Sequence, residues 1–113
     1  MIYNTDKRIE LLHPVTGEVV SWVDISLSTK KRSEIESKVI GKNYSLSEQY
    51  FINVMLASSV ISAWDYDLFQ VEYDYDSAVE LLSDARYSFI VSTIANGYEQ
   101  LVSDYEKYLK AVS

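Results

Sequence analysis

Residues 8–27 read RIELLHPVTGEVVSWVDISL. Arg8–Leu12 predicts one strand and residues 18–27 a second, joined through His13-Pro14-Val15-Thr16-Gly17. Proline presets φ near the start of a reverse turn and glycine tolerates the unusual φ at its end, so the chain doubles back here. In the second strand Val20, Trp22 and Asp24 alternate with Val19, Ser21, Val23, Ile25 and Leu27. Val19, Val23, Ile25 and Leu27 make the more apolar set and the expected core face. A hairpin alone is unstable in water, so the rest of the chain must cover it. Its free edges are places where another chain could pair.

Downstream of the hairpin the period changes from two to that of a helix. A short helix is expected over 29–40, with Ser28 as its cap, Gly41 at its end and Lys30-Lys31-Arg32 as an exposed basic patch. Ser45-Leu46-Ser47-Glu48 has the form of a capping box. It opens a helix over 45–64 with the stripe Tyr50, Val54, Ala57, Ile61 and Trp64, widened by Phe51, Met55 and Leu56. Residues 65–76 form an acidic, aromatic connection. Asp76 can cap a helix over 77–82, and a last helix over 84–110 carries Tyr87, Val91, Ile94, Tyr98, Leu101, Tyr105 and Tyr108 at steps of four and three. The expected architecture is a single α+β domain spanning 1–113. An N-terminal β-hairpin over 8–27 leads into a bundle of three to four α-helices, and the chain is mostly helical.

Composition narrows the function. The chain has 113 residues, 48% of them hydrophobic, enough for one core without disulfides. There is no cysteine, which removes thiolate metal sites and thiol catalysis and fits a reducing compartment. The first residues lack the basic and apolar regions of a signal peptide, and no stretch predicts a membrane span. Net charge is −7, divided unevenly. Residues 1–45 hold seven bases and six acids, and residues 46–113 three bases and eleven acids. An acidic surface repels phosphate backbones, so nucleic-acid binding is not expected.

Catalysis has little to stand on. His13 is the only histidine, the three glycines are scattered, and no nucleophile elbow surrounds any serine. Asp65 and Asp67 open like a calcium loop, but Phe69, Gln70 and Asp76 occupy positions that such a loop gives to other residues. No catalytic residue, cofactor or metal is expected. Tyrosine is the outlier, with ten residues. It suits protein interfaces, and it equally suits the border of a small core, where the ring is buried and the hydroxyl is wet. The candidate protein-binding residues are Tyr66, Phe69, Tyr73, Tyr75, Tyr98, Tyr105 and Tyr108.

The order of these features resembles the small tail assembly chaperones of tailed bacteriophages, from about residue 8 to 105. The hairpin turn His13-Pro14-Val15-Thr16-Gly17 is similar to that family's D/H-P-x-T-G turn. Ile61-Ser62-Ala63-Trp64 resembles its I-x-x-W end to the middle helix. Ser77-Ala78-Val79-Glu80-Leu81-Leu82 resembles the segment before its terminal helix. The chain departs from the pattern at Tyr73-Asp74-Tyr75, where the family often has glycine and proline. The resemblance implies a non-enzymatic helper of virion morphogenesis in the host cell cytoplasm, which coats the helical tape measure protein before the tail tube forms. An exposed hairpin edge also suits a homo-oligomer. Two other readings stand beside it: a structural protein of the tail or head–tail joint, which would use the hairpin edge for sheet-to-sheet assembly, and a small inhibitor of a host defence or nucleic-acid enzyme, which the acidic C-terminal half and the Asp65–Asp76 segment suit.

Overall fold

The computed structural model describes residues 5–27 and 30–113. The fold is α+β and mostly helical. In order it contains β1 (Asp6–Leu12), β2 (Val19–Ser26), α1 (Lys30–Val39), α2 (Leu46–Val60), β3 (Ile61–Trp64), α3 (Tyr66–Phe69) and α4 (Tyr75–Leu82). A 3-10 turn (Ala85–Tyr87) leads into α5 (Ser88–Val112). The expected cap Ser28 lies outside the described residues.

The hairpin forms where the sequence places it. Gly17 takes φ 75° in the turn, and its N–H donates to the His13 carbonyl at 2.9 Å. The imidazole Nδ1 of His13 accepts from the Val15 and Thr16 amides at 3.1 and 3.2 Å, so the lone histidine is a turn-forming acceptor. One expectation fails here. Leu11 pairs with Ser21, but Leu12 pairs with Val19, which makes Val20 an extra, bulged residue. The bulge moves Val19 off the core face and onto the side of Leu12, because one added residue reverses strand parity. Val19 is 58% exposed, whereas Val23, Ile25 and Leu27 are buried.

A second correction concerns the middle helix. It does not run to Trp64. It ends at Val60, and Ile61 turns to extended backbone at φ −70°, ψ 132°. Ile61–Trp64 then pairs antiparallel with β2, giving a three-stranded sheet of order β1-β2-β3. The second edge of β2 was open, and a short strand there satisfies main-chain groups while still burying Ile61 and Trp64. The I-x-x-W motif is therefore a strand. The helix N-terminus is as expected: Ser45 Oγ accepts from the Glu48 amide at 3.2 Å, and Glu48 accepts from the Ser45 amide at 3.1 Å.

The last helices begin differently as well. Asp74, not Asp76, caps α4, accepting from the Ser77 amide at 2.9 Å, and α5 begins at Ser88 after the 3-10 turn. The stripe on α5 faces inward: Ile90, Val91, Ile94 and Leu101 are buried against the inner face of the sheet and α2.

Candidate protein-binding surface

The acidic connection is more ordered than a solvated loop. Asp65 caps α3, and Gln70 closes it in the left-handed conformation at φ 60°, its N–H donating to the Tyr66 carbonyl. This reversal brings the following residues back over Trp64. Phe69 and Tyr73 meet the Trp64 indole edge-on at 4.9 and 5.2 Å, and Tyr87 meets Phe69 at 5.1 Å. The indole Nε1–H donates to the Val71 carbonyl at 2.9 Å.

The tyrosine hydroxyls have a common use. Tyr44 donates to the carbonyl of Val39, the last residue of α1, at 3.1 Å. Tyr50 donates to that of Leu82, the last residue of α4, at 3.2 Å. Tyr73 donates to that of Ser58, in the last turn of α2, at 2.7 Å. Carbonyls in the last turn of a helix have no intrahelical partner, so these hydroxyls close three helix C-termini from a distance. Tyr98 likewise donates to the carbonyl of Leu27, the residue after β2. Burial, with smaller contributions from the Asp74 charge and from Tyr75, pushes the Tyr73 hydroxyl up to about 12. Burial is also the main cause that raises Tyr75 and Tyr98.

The seven candidate residues therefore fall into three places rather than one surface. Tyr66, Phe69 and Tyr73 gather around Trp64, and only Tyr66 is mostly exposed, at 52%. Tyr98, Tyr105 and Tyr108 follow α5, all half-buried. The Arg32 guanidinium stacks on Tyr98 at 4.1 Å, and Tyr105 stacks with Tyr108 at 6.2 Å. Tyr75 stands apart, with Lys31 Nζ 4.5 Å from its ring centre. The basic patch is divided by these contacts: Arg32 leans inward onto Tyr98 and Glu36, while Lys30 is exposed.

An exposed apolar surface among the helices involves residues outside that set. Between the end of α1 and the start of α2 lies an open groove of about 400 Å³, lined by Val39, Tyr44, Ser47, Glu48, Phe51, Ile52 and Met55. Phe51 is 47% exposed, and Ile40 and Leu46 on the neighbouring chain are 79% and 92% exposed. The sequence does not mark this face: Phe51 and Met55 widen the core stripe, and Leu46, four residues before Tyr50, continues it.

Among the described residues, no group of three or more His, Cys, Asp or Glu side chains could hold a metal ion. No helix among them is long and apolar enough to cross a membrane. Neither a protein-family model, a curated protein nor a solved structure matches this chain.

Proposed function

We propose that this chain is a protein-binding chaperone of the phage tail assembly type, acting in the host cell cytoplasm on the tape measure protein and carrying no catalysis of its own. The observation that carries the reading is the apolar groove between α1 and α2. A long helical partner that waits for its tube exposes apolar stripes. A groove between two helices receives one ridge of such a helix, with Phe51 and Met55 as anchors and Ile40 and Leu46 at its margins. The contact is small, which suits binding that must be released when the tube polymerises. The sequence resemblance to tail assembly chaperones supports the same partner.

The test is co-expression with the tape measure protein of the same genome. The wild-type chain keeps that protein soluble, and Phe51→Glu, altered at an exposed position, folds but does not. A tape measure protein equally soluble without this chain overturns the proposal. So does recovery of the chain in purified particles at the abundance of a structural subunit.

A further inference from the structure

The two edges of the sheet differ in a way that assigns one of them a ligand. Hydrogen-bond parity shows which main-chain groups face outward. The Thr5 carbonyl accepts from the Leu27 amide at 2.8 Å. Continuing the β1–β2 register, Ile9 and Val23 then form a hydrogen-bonded pair, while Asp6, Arg8 and Glu10 direct their amides and carbonyls to the free edge. Three of the four outward positions on β1 thus carry charged side chains, all but Leu12 beside the turn, and such charges are a common defence of an open edge. On the other side the Trp22 carbonyl accepts from the Asp65 amide at 3.3 Å. The opposed pair Val23 and Trp64 is therefore not hydrogen-bonded, and the Trp64 amide and carbonyl face away from β2. Among the described residues no hydrogen bond reaches either group.

The β3 edge has no such defence. Ile61-Ser62-Ala63-Trp64 contains no charge and no proline. Beside it lies a hollow of about 300 Å³, lined by Ser62, Ala63, Trp64, Tyr66, Glu72 and Tyr73. Residues 65–76, which supply Tyr66, Glu72 and Tyr73 to its lining, hold five acids and no base. An unpaired donor and acceptor, an aromatic floor and a one-signed rim together fit an extended peptide bearing positive charge.

We infer that β3 accepts an extended basic segment of a partner protein as a fourth strand. Its main chain pairs with Trp64, its apolar side chains rest on Tyr66 and Tyr73, and its lysine or arginine side chains face Glu72 and the acidic segment. This site lies at the opposite end of α2 from the apolar groove and does not depend on the tape measure reading.

The probe is a fluorescent octapeptide alternating lysine and valine, titrated into the intact chain and followed by anisotropy, with amide hydrogen exchange of the complex. Saturable binding is expected, with slowed exchange at the Trp64 amide. Methylation of alternate peptide nitrogens, which keeps every charge but removes strand pairing, is expected to weaken binding at least tenfold. Ser62→Lys, which places a charge on the edge, does the same, and Phe51→Glu leaves binding unchanged. Equal affinity for the methylated peptide, protection on β1 instead of β3, loss of binding in Phe51→Glu, or no saturable binding each overturns the assignment.

Discussion

The Tyr73 hydroxyl donates to the Ser58 main-chain carbonyl at 2.7 Å, tying the acidic segment to the last turn of α2. The same bond positions Tyr73 against Trp64 and so builds the floor beside β3. Tyrosine is abundant in this chain partly because its long, rigid side chain can reach a helix end from another element while its ring packs on the core.

Tyr73→Phe keeps the ring and removes the bond. It should lower stability by about 1 kcal/mol in urea denaturation, the usual net worth of such a hydrogen bond. The pH dependence follows from the raised pKa. The folded state holds the Tyr73 proton up to about pH 12, whereas an unfolded tyrosine releases it near 10. The folded state therefore binds more protons, and stability is lost as pH rises from about 10 to 12. Tyr73→Phe should flatten that decline without abolishing it, since Tyr75 and Tyr98 are also raised. An unchanged alkaline slope counts against the account.

Ser58 carries the opposite kind of group. Its Oγ is buried with no hydrogen-bond partner among the described residues. Ser58→Ala removes an unsatisfied hydroxyl and places a better helix former in α2, so it should stabilise the fold by about 1 kcal/mol. Calorimetry should show the melting temperature rising by roughly 4 °C. A fall would show that the hydroxyl is satisfied by water.

Gly97 of α5 rests directly on Ile9 of β1: a Cβ there would overlap Ile9 Cδ1 and stand 3.3 Å from Cγ1. Gly97→Ala should be nearly neutral, because the end of the Ile9 side chain can give way while the helix gains about 1 kcal/mol from losing glycine. Gly97→Leu has no such relief and should cost about 1–3 kcal/mol by overpacking. Combining it with Ile9→Ala should cost less than the sum of the two single changes. Additive effects in denaturation would mean that helix and strand do not meet at this point.

Asp74 governs part of the acid side. Hydrogen bonds from the Ser77 amide and hydroxyl hold its carboxyl below the usual range. A group whose folded pKa is depressed contributes stability above its unfolded pKa, lost as pH falls through the folded value. Asp74→Asn keeps a good N-cap but cannot titrate. Its stability near neutrality should match the wild type, with a shallower decline below pH ~4. A parallel decline in the two proteins would place the acid sensitivity elsewhere, at Glu48 or Asp84, whose carboxyls are also lowered.

Local patterns were legible wherever neighbours in the chain supply the physics. The proline and glycine around His13 set the turn, Ser45 and Glu48 cap each other across one helical turn, and the stripe on α5 needs only its own period. The candidate surface was less legible. Seven aromatic residues were singled out by composition, and the fold spends most of them on packing or on carbonyls such as those of Ser58 and Leu27. Phe51 and Leu46 sit on or beside the apolar stripe of α2, so nothing local separates them from the core, and only the position of α1 makes a groove beside them.

Sequence alone determined that this chain begins with a reversing strand pair and continues as amphipathic helices, because turn chemistry, capping and side-chain period act over a few residues. Tertiary structure alone decided that Ile61–Trp64 is a strand. Ile61 and Trp64 are spaced to continue the α2 stripe, so the local pattern favours helix, and only the open edge of β2, distant in the chain, supplies the partners that make an extended backbone win. The same non-local step leaves Trp64 with unpaired main-chain groups beside an acidic, aromatic hollow.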